Sequence, residues 1–164
     1  MKPTYERGGV MPCAITDTGQ IFFVPGEDIS GDFSDWGGQI KSTDDNIYAT
    51  ASRELEEESF GCITVEPEVL KGCVALCYDK CVIFLVPFTF NYLMNAIAEF
   101  SRACPFHMRN GKVEMNGIKI LFQDDFIKCL QDGKFYTVVT AVLRSNFDKL
   151  PIYPGCTLFN YPIK

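Results

Sequence analysis

The sequence predicts a mixed α/β domain whose strands are mostly antiparallel or mixed. Three observations carry this. Apolar segments such as "VMPCAITDTGQIFFV" and "CVIFLVPFTF" are bounded by turn residues and read as strands. One strongly patterned helix lies between Asp44 and Ser59. The chain has 164 residues with 47% hydrophobic and 13% aromatic side chains, enough for one buried core and typical of a globular protein. Residues 1–164 are therefore expected to form a single domain, with no internal repeat, low-complexity tract or linker.

The elements follow in order. Residues 10–24 read as two short strands around a turn at Asp17–Gly19. "PGEDISGDFSD" reads as a polar, Gly-rich loop, and "QIK" as a short strand after Trp36. In the helix, Thr43 or Asp44 is the expected cap, acidic residues in the first turn suit the dipole, and Gly61 is the expected stop. Strands are expected again through residues 63–90, with turns at Lys71-Gly72 and Tyr78–Lys80. "NYLMNAIAEFSRAC" reads as a helix. Asn116-Gly117 carries the strongest short hairpin signal in the chain. "DDFIKCLQDG" and "FYTVVTAVLRSNFDKL" read as helices, Asp124 and Asp125 capping one that starts at Phe126. The Pro/Tyr-rich end reads as an extended tail.

Composition narrows the function. The net charge of −6 argues against nonspecific gripping of nucleic acid. The charge is uneven: residues 1–60 hold four basic and twelve acidic side chains, whereas residues 61–164 hold eleven and nine. That asymmetry suits an acidic metal site facing a mildly basic surface. No apolar run reaches bilayer-spanning length, and the N-terminus lacks a signal-peptide core, so no membrane association and a cytoplasmic location are expected. The eight cysteines sit mostly in apolar contexts and read as reduced, buried thiols. Cys73, Cys77 and Cys81 are spaced by fours, but in a strand-like segment far from His107, the only histidine.

The informative stretch is "GGQIKSTDDNIYATASRELEEESFG", residues 37–61. At helical periodicity Ile47, Ala51 and Leu55 form a buried stripe. Glu54, Glu57 and Glu58, at i, i+3 and i+4, converge on the margin of that stripe, and Glu56 points to solvent. Runs of glutamate are ordinarily solvated faces. Here the acidic stripe overlaps the apolar one, a glycine pair precedes it and Arg53 adjoins it. Three carboxylates meeting at a core edge need compensation, and a hard divalent cation such as Mg²⁺ or Mn²⁺ supplies it.

These residues resemble the Nudix box: Gly, five residues, Glu, seven residues, then Arg-Glu-aliphatic-any-Glu-Glu-any-Gly-aliphatic. Arg53-Glu54-Leu55-Glu56-Glu57-Glu58 matches in full. The resemblance implies an α/β/α sandwich with a mixed, curved sheet between helices. It implies a Mg²⁺- or Mn²⁺-dependent hydrolase of the diphosphate linkage in a nucleoside diphosphate joined to another group. It makes Glu54, Glu57 and Glu58 metal ligands, and Gly38 the strand end whose carbonyl faces the metal. Arg53 would orient the carboxylates. Two departures stand out. The family glycine falls at Phe60, with Gly61 one place late. One residue is inserted upstream, so the acidic partner of Arg53 is either Asp44 or Asp45.

By the family's order of elements, Glu114 is the candidate general base outside the box, ahead of Glu99. Lys41, Arg109 and Lys112 are candidate phosphate contacts. Trp36 and Tyr48 read first as core aromatics and second as platforms for a base. The expected substrate is a nucleotide-derived small molecule. Capped RNA is the alternative within the family; it needs a basic channel that the net charge disfavours. A non-catalytic nucleotide-binding module and an unrelated α/β domain with a solvated acidic helix are the readings outside it. A homodimer is left open. Specificity is expected to lie in residues 25–35 and 100–117.

Overall fold

The computed structural model describes residues 4–111, 113–152 and 156–164. Its main sheet is built on β1 (Arg7–Ile15), which lies parallel to β7 (Cys81–Pro87) and antiparallel to β2 (Ile21–Phe23) and β5 (Trp36–Gln39). Outer strands β6 (Val74–Tyr78) and β9 (Leu121–Phe122) complete the order β6-β7-β1-β2-β9, with β5 beside the first half of β1. A second sheet joins β4 (Phe33–Ser34), β3 (Gly26–Asp28) and β8 (Met115–Ile118). The sheet is thus mixed, as expected.

Alternation along the central strands gives the sheet two apolar faces. Val10, Ala14, Val82, Phe84 and Val86 point to one core, and Met11, Cys13, Ile83 and Leu85 to the other. The first is covered by α1 (Ile47–Glu58) and α3 (Phe90–Asn110), through Ala51, Leu55, Leu93, Ala96 and Phe100. The second is covered by α4 (Gln123–Gln131) and α5 (Thr137–Ser145), through Phe126, Leu130, Val139, Val142 and Leu143. The result is the expected α/β/α sandwich.

Several local expectations give way. The Asn116-Gly117 hairpin is absent: β8 continues through it with a register shift, Gly117 pairing with Glu27 and Met115 with Asp28 of β3. The polar 25–35 segment is therefore not a plain loop, since it supplies β3 and β4; pairing with a distant strand outweighs its turn-rich composition. The short helix α2 (Pro67–Leu70) interrupts a stretch read as strand, with proline at its first turn. Helix α3 continues past Cys104 through Pro105 to Asn110. Helix α4 starts at Gln123, so Asp124 and Asp125 lie in its first turn and Phe122 is the cap residue. The β6–β7 turn does fall at Asp79-Lys80; both residues have positive φ, 45° and 65°, matching the twist of a tight hairpin. The tail forms a 3-10 turn over Leu158–Asn160 and a bridge from Ile163 to Phe88.

The cap of α1 is neither Thr43 nor Asp44. Asn46 is extended and its side chain accepts the Ala49 N–H at 2.9 Å; no acidic residue lies in the first turn. At the other end, Gly61 N–H donates to Glu56 O at 2.8 Å and Phe60 N–H to Glu57 O at 3.3 Å. This is the Schellman pattern, whose left-handed position usually holds glycine. Here Phe60 occupies it at φ 55°, with Gly61 following at φ 75°. The Phe60 ring stacks on Phe100 and on His107, at 5.1 and 4.1 Å between centroids. That packing offsets a left-handed strain of about 1–2 kcal/mol. Among the described residues no helix is long and apolar enough to cross a membrane.

Candidate active site

Helix α1 lies against β1 and β5, and glycines set how close it comes. Gly8 is opposite Gly38 and Gly9 opposite Gly37. A Cβ on Gly38 would lie 2.5 Å from the Glu54 carboxyl carbon, and one on Gly8 would lie 2.8 Å from Ile47 Cδ1. The Gly8/Gly38 pair thus makes a hollow that seats α1 and the Glu54 carboxylate. The Gly9/Gly37 pair, on the opposite face, makes a second hollow filled by Asp35.

Arg53 and its acidic partner are fixed unambiguously. Arg53 Nε donates to Asp44 Oδ1 at 2.9 Å and Nη2 to Oδ2 at 2.8 Å. Asp44 also accepts from Lys41 N–H and Thr50 Oγ1, both at 2.9 Å, whereas Asp45 is exposed. The inserted residue is thus absorbed ahead of α1, between Asp44 and the helix. The Arg53 hydrogen bond holds the Asp44 carboxyl well below the usual range. Arg53 Nη1 then reaches Glu54 Oε1 at 2.9 Å and Glu57 Oε2 at 3.2 Å.

The carboxylates divide. Glu54 and Glu58 are buried, at 7% and 6% exposure, whereas Glu56 and Glu57 are exposed. Oxygens of Glu54, Glu58 and Glu114 lie within 4.8 Å of one another. Glu57 is outside that group, its side chain half exposed against Arg53. Burial, then the charges of Asp35, Glu54 and Glu114, push the Glu58 carboxyl up to about 10. Burial likewise raises Glu54, while Arg53 pulls it back. Among the described residues, Glu58 Oε1 is buried without any hydrogen-bond partner. An orphaned buried oxygen facing two further carboxylates is the environment that a hard divalent cation satisfies, so the donor set fits Mg²⁺ or Mn²⁺.

These groups line a cavity of about 680 Å³. Gly38, Glu54, Glu58 and Glu114 border it, and so does Lys41. Arg109 sits exposed in the last turn of α3 and is not among the lining residues. Lys112 lies outside the described residues. Glu99 is an exposed residue of α3. Trp36 is fully buried with Nε1 donating to Val24 O at 2.9 Å, so its ring is closed to any ligand; Tyr48 packs on Phe84. All eight cysteines are free, and none joins a metal-ligating group among the described residues.

One ion pair at the site, Arg7 with Asp35, escaped the sequence reading, as did the lining residues Glu6 and Asp28. Arg7 lines the cavity, and Asp35, wholly buried, grips it with two hydrogen bonds of 2.9 and 2.6 Å. The available signal was "RGG" at 7–9, a second glycine pair that mirrors Gly37-Gly38.

Solved structures share this architecture. An Ap4A hydrolase from C. elegans aligns with 90% of this chain and 98% of its own, at TM-score 0.53 and 14% identity. The Nudix hydrolase RenU from M. smegmatis aligns with 90% of this chain and 89% of its own, at TM-score 0.53 and 10% identity. The Nudix domain of Shewanella oneidensis NrtR, solved with ADP ribose, covers 90% of each chain at TM-score 0.51 and 12% identity. No family model matches the sequence. No curated protein matches it either. At these identities the likeness speaks to the fold, and the fold is the Nudix fold.

Proposed function

We propose that this protein is a Mg²⁺- or Mn²⁺-dependent hydrolase that cleaves the diphosphate linkage of a nucleoside diphosphate joined to another group. The observation that carries the reading is the buried, unpartnered Glu58 Oε1 grouped with Glu54 and Glu114. The Nudix fold supports it, as do solved neighbours described as an Ap4A hydrolase and as an ADP-ribose complex.

A bound divalent cation supplies charge neutralisation on phosphoryl oxygens and acidifies water. Glu54, Glu58 and Glu114 would hold it, with the Gly38 hollow keeping Glu54 in place. Glu114 lies just before β8 rather than on α1, and as a carboxylate of that group it would also take a proton from attacking water. Arg53, clamped by Asp44, orients Glu54 and Glu57. Glu57, on that guanidinium, is the carboxylate available to a further ion nearer solvent. Lys41 faces the cavity as a phosphate contact. The carboxylates that line it disfavour a long RNA strand, so the small-molecule reading stands ahead of capped RNA.

The test is a nucleotide panel with Mg²⁺ and with Mn²⁺: nucleoside triphosphates, sugar nucleotides including ADP-ribose, dinucleoside polyphosphates and capped RNA. Cleavage at a phosphoric anhydride, dependent on the metal, is expected. No turnover of any member with either ion would overturn the reading.

A further inference from the structure

We propose that Arg7 is a substrate-contacting residue that holds a phosphoryl oxygen in the Glu54–Glu58–Glu114 cavity, and that Asp35 is the buried residue that positions it. The inference rests on the hydrolase reading above and names a part of the site that lies outside the box.

Arg7 opens β1, and its side chain is 12% exposed, on the wall of the cavity. Its Nη1 donates to Asp35 Oδ2 at 2.9 Å and its Nη2 to Asp35 Oδ1 at 2.6 Å. Asp35 has no exposed surface and takes one further bond, from Ser34 Oγ at 3.2 Å. The sheet is hollowed to receive it. A Cβ on Gly9 would collide with Asp35 Oδ2, and one on Gly37 would lie 2.8 Å from the same atom. Two glycines on adjacent strands thus give up side-chain packing to admit one carboxylate.

A buried ion pair is a poor device for stability. Its desolvation cost commonly matches or exceeds its attraction, and apolar residues of like volume replace it at little cost. The pair instead fixes a guanidinium. Burial works against the Arg7 charge, and the Asp35 carboxylate more than restores it, so the cation persists. A guanidinium has five N–H donors in a planar fork. Asp35 engages two, and the remainder are held in one plane beside the cavity, an arrangement that suits a tetrahedral oxyanion.

The charge balance shows why such a donor matters. The cavity is lined by Glu6, Asp28, Glu54, Glu58 and Glu114, against Arg7 and Lys41 among the described residues. Lys41 is exposed on a flexible stem, whereas Arg7 is preset. An anionic diphosphate entering this acidic cavity finds in Arg7 its one rigid cation among the described lining residues.

The experiment measures binding of inorganic pyrophosphate by calorimetry at fixed Mg²⁺, with KM for the best nucleotide of the panel. It compares wild type, Arg7→Lys and the double variant Arg7→Met with Asp35→Leu. Arg7→Lys keeps the charge and loses the fork. It is expected to weaken pyrophosphate binding and raise KM by about tenfold or more. Its Mg²⁺-induced rise in melting temperature should stay at the wild-type value, which a merely structural defect would not spare. The double variant removes the pair without stranding a charge. It is expected to fold and to show the same loss, so it decides the matter if Arg7→Lys is unstable. Wild-type pyrophosphate affinity in either folded variant would overturn the proposal, as would a wild type that does not bind pyrophosphate. A wild type that binds pyrophosphate but cleaves no nucleotide would sink the hydrolase reading while leaving the Arg7 comparison intact.

Discussion

Glu58 is the residue on which most depends. Its carboxyl is raised to about 10 without metal, so it is protonated near neutrality. A carboxyl whose folded pKa lies above its unfolded value of about 4 costs stability as pH climbs past that value. Glu58→Gln replaces it by a neutral group of the same shape. Metal-free Glu58→Gln is therefore expected to be about as stable as wild type at pH 3 and increasingly more stable than it as pH rises from about 4 to 8. It should also lose the Mg²⁺-induced gain in melting temperature and about a hundredfold or more in kcat. Glu56→Gln, on the exposed side, should stay within about twofold of wild type, since surface changes away from a site are usually near neutral. Thermal melts with and without EDTA, and initial rates, read all of these. Asp44 has the opposite sign. The Arg53 hydrogen bond depresses its folded pKa, so its contribution is present above about pH 4 and is lost as pH falls through the folded value. The stability gap between wild type and Asp44→Asn should be full at pH 6 and shrink steadily towards pH 2 in urea titrations. The sequence narrowed the partner of Arg53 to Asp44 or Asp45; choosing needed the chain path before α1, which an insertion had altered.

At the scale of elements, the Gly8-Gly9 and Gly37-Gly38 pairs set the site by how closely they let α1 and Asp35 approach. Gly38→Ala would force the Glu54 carboxylate from its hollow. It is expected to destabilise the protein by about 1–3 kcal/mol and to weaken the Mg²⁺ response together with kcat. Unchanged metal response in that variant would show that Glu54 does not depend on the hollow. Helix α1 was legible because its apolar period and acidic stripe are local. Its cap was less so: Thr43 or Asp44 was expected, whereas Asn46 is the extended residue whose side chain accepts the Ala49 N–H. Asn116-Gly117 misled for a physical reason. Turn propensity is a local energy, and here pairing of β8 with β3 overrides it. Phe60 shows the same contest at the end of α1, where stacking on Phe100 and His107 sustains a left-handed backbone without glycine.

For the molecule as a whole, the class and the sandwich were legible from strand alternation and from one box of about 25 residues. The assembly of the site was not. Glu114 and Arg7 lie 107 residues apart in the chain, and only the sheet order brings both to one cavity. Of the three box glutamates expected to bind metal, two meet Glu114 and the third stays on Arg53, whereas helical spacing alone puts all three on one margin. Glu114→Gln measures what the outside carboxylate adds. It is expected to lower kcat by about tenfold or more and, because Glu114 faces Glu54 and Glu58, to weaken the Mg²⁺ response as well.

The most direct measurement of the central claim is a Mn²⁺ titration of wild type and Glu58→Gln, followed by calorimetry or by the electron paramagnetic resonance of the free ion. Wild type is expected to bind Mn²⁺, and Glu58→Gln, folded and at least as stable without metal, to bind it at least about tenfold more weakly. Equal Mn²⁺ affinity in the two proteins would contradict a cation held by Glu54, Glu58 and Glu114.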